Sequence, residues 1–174
     1  GQRELPFCIH TRYSTQQAIL EDIVASLYAQ GMRKLIILSG HGGNNFKGMI
    51  RDLAFVYPDF LIIAADWFSI VPPKDYFEAV VDDHAGESET SVMMHYHPEL
   101  VNLDEAGDGE SKPFAIPSLN EKVGWAPRHW DKATVDSGVG NPKKASAEKG
   151  ERYMKPVVEK LSKLFTEVGQ GSLY

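Results

Sequence analysis

The spacing of apolar side chains divides the first third of the chain into helices and strands. In residues 14–30 apolar positions recur every three to four residues, which predicts an amphipathic helix. Ser14 and Gln17 have the spacing of a capping box at its start, and Gly31 follows its end. Lys34–Ser39 then holds an uninterrupted apolar run, typical of a strand covered on both faces and therefore of a parallel sheet.

The pattern continues with a second helix and a second strand. Residues 46–54 predict an amphipathic helix that ends at Tyr57 and Pro58, and residues 60–65 predict a strand, so this region forms a strand–helix–strand unit. Residues 87–96 predict a third helix. A helical stripe over residues 153–168 predicts the last one, with a bend at Pro156.

Residues 104–141 differ from the rest of the chain because they carry turn clusters and three prolines, with little periodicity. This composition predicts an irregular segment. A loop of that length in a compact domain typically covers a functional site or forms an interface. Neither an internal repeat nor a second domain is visible, so we expect one domain over residues 1–174.

Composition and charge narrow the classes of function. The chain has 174 residues, of which 43% are apolar and 24% charged. Folding at this length buries about 70% of the extended chain's surface, so any metal would be functional rather than structural. A net charge of −6 without a basic block argues against nucleic acid and anionic membranes as partners. The single cysteine, Cys8, and the lack of a membrane-length apolar run favour a cytoplasmic protein.

The turn SGHGGNN at residues 39–45 is the first candidate site, because open α/β sheets bind ligands at the carboxyl ends of their strands. His41 could bind a metal or deliver a proton, and the glycines let the backbone approach a ligand. A phosphate-binding turn would need a Walker lysine or a GxGxxG sequence, and a lipase-like oxyanion turn would need a GxSxG nucleophile. A purely structural turn capped by His41 stays open.

Residues 82–91 are the second candidate, an acidic segment that runs into the third helix. His84 could act as an acid or base, with one of Glu87 and Glu89 as a metal ligand, since side chains two residues apart project in different directions. The alternative is that the carboxylates of Asp83, Glu87 and Glu89 only cap the helix. Trp67, after the second strand, belongs either to the core or to a pocket wall. The irregular segment offers further side chains for a substrate mouth or a subunit surface: Trp125, His129 and Trp130.

Three motifs, taken in their order along the chain, resemble the creatininase (creatinine amidohydrolase) family. They are SGHGGN after a strand, HAGESETSVMM at a helix and GNPKKASAEKGE before the last helix. The resemblance implies a three-layer α/β/α fold with a mostly parallel sheet. It also implies two divalent metal ions, zinc or manganese with iron as an alternative, and hydrolysis of an amide or cyclic-amide C–N bond by a metal-bound hydroxide. The implied substrate is a small amide, and the implied assembly is a homo-oligomer, often a hexamer.

The resemblance also assigns roles to individual residues. The family's turn histidine falls on His41 and its ETS glutamate on Glu89, both as metal ligands. The histidine that opens HAGE falls on His84, which would protonate the leaving nitrogen, and Glu87 is a second catalytic candidate and the reserve ligand. The candidate substrate-binding residues are Gly42, Gly43, Asn44 and Trp67.

Two departures from the family pattern change the expectations. Gly43 stands where creatinine hydrolases often carry a glutamate ligand, and no tryptophan precedes His84, so we expect poor activity on creatinine. The family's N-terminal strand and loop, which supply a Glu, a His and a bridging Asp, have no match. We therefore expect the C-terminal portion of a longer polypeptide, in which the first strand pairs with an upstream one. The alternative is a non-catalytic ligand-binding or scaffold subunit.

Overall fold

The structure, a computed structural model, describes residues 2–172 and divides into two compact units. The first, here called the βαβ unit, comprises Thr11–Pro72 and the chain from Pro156 onward. The second, the loop-rich unit, comprises Pro73–Lys155 and the N-terminal segment up to His10. The expectation of one domain stays a prediction.

The βαβ unit contains the predicted strand–helix–strand arrangement. Its elements are α1 (Tyr13–Ala29), β1 (Lys34–Ser39), α2 (Lys47–Val56) and β2 (Leu61–Asp66). The two strands are parallel, with Lys34 opposite Leu61 and Ser39 opposite Asp66. The carboxyl ends of β1 and β2 therefore lie side by side, which confirms the prediction of a parallel pair.

The core of this unit lies between the helices and the sheet. It consists of the buried side chains Leu20, Val24, Met49, Leu53, Phe60 and Ile62. The strands are less covered than the sequence predicted, because Leu38 is half exposed and the rest of the apolar run in β1 is only partly buried. Within residues 2–172, β1 pairs only with β2.

The two ends of α1 test the predicted start and stop signals. The capping-box prediction is wrong: the helix begins at Tyr13 after Arg12, so Ser14 lies inside it, and the Gln17 amide donates to Glu21 instead. The stop at Gly31 is confirmed. Gly31 has φ +86°, its N–H donates to the carbonyl of Tyr28, and the N–H of the next residue donates to the carbonyl of Leu27, which is a Schellman motif.

The loop-rich unit is built around a short antiparallel pair and two helices. Its elements are β3 (Asp82–His84), α3 (Glu87–Tyr96), α4 (Pro117–Asn120), α5 (Trp130–Ala133), β4 (Val139–Gly140) and the first part of α6 (Ala147–Gln170). Helix α3 has the predicted bounds. The β3–β4 pair was not predicted, because strands of two or three residues are too short to show an alternating pattern.

Between α3 and β4 the chain is mostly irregular, as predicted, apart from α4, α5 and a bridge between Ser111 and Thr134. Helix α6 packs closely on α3, since a Cβ on Gly150 would lie 2.1 Å from the carbonyl oxygen of Ser91. Tyr153 on α6 is buried against the ring of Phe77, at 5.1 Å between centroids. None of the helices within residues 2–172 has both the length and the apolar character needed to cross a bilayer.

Candidate active site

The tight connection from β3 to α3 brings an imidazole beside a carboxylate. His84 ends β3, and its Nδ1 lies 3.9 Å from Oε2 of Glu89 in the first turn of α3. That oxygen also accepts a hydrogen bond of 2.7 Å from the N–H of Ala85, whose φ of +50° lets the chain turn sharply. The side chains of His84 and Glu89 are 30% and 37% exposed, so both can reach a ligand.

The indole ring of Trp130 packs against the imidazole ring of His84. The indole and imidazole rings meet at 77° with centroids 5.1 Å apart. The guanidinium of Arg128 lies 4.8 Å from the indole centroid and donates to the carboxylate of Asp83. The sequence had suggested for Trp130 only a substrate mouth or a subunit surface. The contact joins residues far apart in the chain, and nothing in the local sequence indicates it.

Glu87 is fully buried and occupies a different position from Glu89. Its Oε2 accepts hydrogen bonds from the backbone N–H groups of Glu78 and Ala79, at 2.9 and 2.8 Å, and its Oε1 lies 2.5 Å from Nζ of Lys149. With no exposed surface and both oxygens engaged, this carboxylate holds the start of α3 against the preceding loop and Lys149, and it does not cap its own helix. The catalytic role that the sequence predicts for Glu87 stays a prediction.

Charges around this carboxylate shift the pKa values of two further groups. The pKa of Lys149 is raised, chiefly by its hydrogen bond to Glu87. Hydrogen bonds from Lys144 and Lys149 hold the pKa of Glu78 at about 2. Since Glu87 lies in the HAGESETS motif and Lys149 in the motif before the last helix, this ion pair ties two of the sequence motifs together.

Asp82 supports the start of α3, a role that no sequence pattern indicated. Its Oδ2 accepts a hydrogen bond of 3.0 Å from the N–H of Ser88 in the first turn. Burial raises the pKa of Asp82, and the negative charges of Glu87 and Glu89 add to that rise. The capping predicted for carboxylates in this segment is present, but it comes from Asp82 and, at Ala85, from Glu89.

The predicted turn at the end of β1 holds His41 on the surface of the βαβ unit. The His41 carbonyl accepts hydrogen bonds from the N–H of Asn44, at 3.1 Å, and from the hydroxyl of buried Ser39, at 3.3 Å. The imidazole lies against Gly43, where a Cβ would come within 2.7 Å of Nε2. A glycine at this position therefore leaves room for the ring. The turn itself is held by Ser39 and Asn44, so the side chain of His41 is not needed as a cap.

The remaining candidates in this unit lie near the same strand ends. Trp67 directly follows β2 and meets the ring of Phe68 edge to face, with centroids 6.0 Å apart. Phe68 in turn lies against Gly42. The structure thus gathers His41, Gly42, Gly43, Asn44 and Trp67 at the carboxyl ends of β1 and β2, and His84 and Glu89 in the loop-rich unit.

Imidazole and carboxylate donors are the right chemical types for zinc or manganese. A catalytic zinc site needs three protein ligands, however, and residues 2–172 contain no cluster of three or more His, Cys, Asp or Glu side chains that could hold a metal. The described residues therefore do not complete a metal site by themselves.

The parallel strand pair with its connecting helix makes the chain an α/β protein. The sequence profile of the creatininase family, described as creatinine amidohydrolase, matches residues 1–165. The chain belongs to the creatininase family, a family of metal-dependent amidohydrolases.

Two relatives illustrate the range of the family. The mycofactocin precursor peptide peptidase of Mycobacterium ulcerans (strain Agy99) is 33% identical over 131 residues, which are 72% of this chain and 45% of that protein. The creatinine amidohydrolase of Pseudomonas putida is 24% identical over 169 residues, 88% of this chain and 63% of that protein. The chain thus spans about half to two thirds of the length of these relatives.

Two crystal structures confirm the fold class. A protein of Bacteroides fragilis NCTC 9343, provisionally named creatinine amidohydrolase, is 83% identical and superposes with a TM-score of 0.97 over 100% of this chain and 69% of that one. A mutant creatininase of the Zn–Zn type is 22% identical, with a TM-score of 0.76 over 96% of this chain and 70% of that one. The α/β fold expected from the motifs is therefore that of the creatininases.

Proposed function

We propose that the protein to which this chain belongs hydrolyses an amide-type C–N bond, and that His84 is the proton donor to the leaving nitrogen. The observation that carries this proposal is the placement of His84 in the HAGE motif, partly exposed, between the carboxylate of Glu89 and the indole of Trp130. An amide nitrogen leaves readily only when it is protonated, and imidazole holds and releases a proton near neutral pH.

His41 and Glu89 are proposed as metal ligands that this chain contributes. Glu89 uses Oε2 for the N–H of Ala85, and within the described part of the chain Oε1 accepts no hydrogen bond, so that oxygen can bind a ligand. Residues 2–172 hold no cluster of three or more potential metal ligands, and we propose that the site is completed by ligands outside them. Zinc or manganese is proposed, with iron as an alternative, and a creatininase of the Zn–Zn type supports zinc.

The proposed substrate is a small non-peptide amide, bound with the help of Gly42, Asn44 and Trp67. The relatives act on different molecules according to their names, a precursor peptide in one case and creatinine in another. A glutamate at the position of Gly43 would have to displace the ring of His41, which supports a site unlike that of creatinine hydrolases. A panel of creatinine, N-formyl amides, hydantoin-like rings and short peptides, assayed with added manganese or zinc, distinguishes these classes.

Three variants of the full-length protein test the assignment of roles. His84→Ala should lower kcat by about 10²–10⁴-fold and leave the metal content unchanged, because a general acid contacts the substrate rather than the metal. His41→Ala and Glu89→Gln should lower both bound metal, measured by elemental analysis, and activity. The matched control is His97→Ala, since His97 follows α3 and is largely exposed.

Loss of metal in His84→Ala would show that His84 is a ligand and not the acid. Less than one tightly bound transition metal per full-length chain would favour the alternative, a non-catalytic ligand-binding or scaffold subunit. A homo-oligomer, with the hexamer as the expected form, and a cytoplasmic location remain proposals. Light scattering coupled to size-exclusion chromatography measures the first, and fractionation of the source cells the second.

A further inference from the structure

The orientation of the His84 imidazole is not set by Glu89. The 3.9 Å between Nδ1 and Oε2 is too long for a hydrogen bond, and Oε2 is already bonded to the N–H of Ala85. The backbone of His84 is held opposite Val139 in the β3–β4 pair, but this pairing leaves the two side-chain torsions free. The edge-to-face contact with the Trp130 ring is an interaction that restricts these torsions.

Trp130 is itself held from several directions. Its carbonyl accepts a hydrogen bond of 2.7 Å from the hydroxyl of Thr134, and Thr134 forms the bridge to Ser111. On the indole, Arg128 makes a cation–π contact at 4.8 Å. The same guanidinium pairs with Asp83, the residue directly before His84. These contacts therefore connect four residues in a closed circuit: Asp83, Arg128, Trp130 and His84.

We propose that Trp130 is a positioning residue that orients the imidazole of His84, and that the Arg128–Asp83 pair holds the indole in place. The irregular segment between α3 and β4 thereby acts on the reaction through the orientation of one ring. This inference rests on the proposed role of His84 as proton donor. An aromatic edge-to-face contact needs a defined ring geometry, so a smaller side chain at residue 130 frees the imidazole to turn away from the leaving nitrogen.

The kinetic test compares aromatic and non-aromatic replacements in the full-length protein. Trp130→Ala should lower kcat by about 10- to 100-fold with little change in KM, because a small displacement of a catalytic group costs up to about 10²-fold in rate. Trp130→Phe should restore most of kcat. The matched control is Val123→Ala, since Val123 lies in the same segment and is 77% exposed. It should leave kcat unchanged.

A second readout does not depend on activity. In isotope-labelled full-length protein, the indole ring current should shift the imidazole C–H signals of His84, which are identified by their loss in His84→Ala. We expect the shift to disappear in Trp130→Ala, to persist in part in Trp130→Phe, and to weaken in Arg128→Met, where the indole loses its support. Val123→Ala should leave these signals in place.

The two readouts separate failure of this inference from failure of the proposed function. His84 signals that stay unchanged in Trp130→Ala and Arg128→Met would overturn the positioning role, whatever the activity. Equal losses of kcat in Val123→Ala and Trp130→Ala would overturn it as well. An active wild-type protein whose rate does not depend on His84 would instead refute the proposed function, while the shifted signals would still establish the contact that orients the ring.

Discussion

Lys149→Met removes the positive charge that faces the buried carboxylate of Glu87. That carboxylate has no exposed surface, and after the substitution only the backbone N–H groups of Glu78 and Ala79 remain bonded to it. Removing one partner of a buried ion pair costs about 3–5 kcal/mol. The Lys149 side chain is 21% exposed, so water can reach the vacated position, and we expect the lower end, about 3 kcal/mol.

The measurement is urea unfolding of the full-length protein followed by circular dichroism, combined with thermal melts. For a domain of this size a loss of about 3 kcal/mol lowers Tm by about 6–12 °C. Glu87→Gln keeps an acceptor for the two backbone N–H groups but turns an amide N–H₂ toward the ammonium of Lys149, so it should cost about 2–4 kcal/mol. The double variant should be less destabilised than the sum of the single variants by about 2 kcal/mol.

Lys144→Met is the matched control. Lys144 pairs with Glu78 at 2.7 Å, but its side chain is 65% exposed and that of Glu78 is 59% exposed, so solvent screens the pair and the substitution should leave the urea midpoint almost unchanged. A Lys149→Met variant as stable as Lys144→Met would refute the reasoning. So would strictly additive effects of Lys149→Met and Glu87→Gln, because the two groups would then not stabilise each other.

Three further predictions address other parts of the chain. Gly43→Ala places a Cβ 2.7 Å from Nε2 of exposed His41, so the imidazole ring should turn and its NMR signals should change. The free energy of unfolding should fall by less than about 1 kcal/mol. Unchanged signals would contradict this prediction. Gly150→Ala places a Cβ against a backbone carbonyl of α3 and should lower the free energy of unfolding, measured with urea, by about 1–3 kcal/mol. The control Gly169→Ala meets nothing within 4 Å and should not destabilise the protein. The pKa of Glu78 is lowered to about 2, so its contribution to stability is present above its ordinary pKa of 4.5 and is lost as the pH falls toward 2. The urea midpoint of Glu78→Gln should therefore fall less on acidification than that of the wild type, and parallel curves would exclude this contribution.

Local sequence was sufficient to predict the elements whose stability is local. The apolar runs and stripes gave the bounds of β1 and α3 and the existence of α1, α2, β2 and the last helix. Gly31 marked the end of α1, because only a residue that adopts positive φ easily completes the Schellman motif. The proximity of His84 and Glu89 also follows from local structure, since five residues and one sharp turn separate them.

The tertiary structure alone decided what those local elements do. Glu87 and Glu89 look equivalent in the sequence, yet a lysine 62 residues away makes Glu87 a buried ionic contact, while Glu89 stays accessible. Asp83 meets Arg128 across 45 residues, and this pairing brings Trp130 to His84. Local periodicity reports which face of an element is apolar, but not which distant side chain will neutralise a charge or orient a ring. Those pairings depend on how the whole chain folds, and they set the roles of the motif residues.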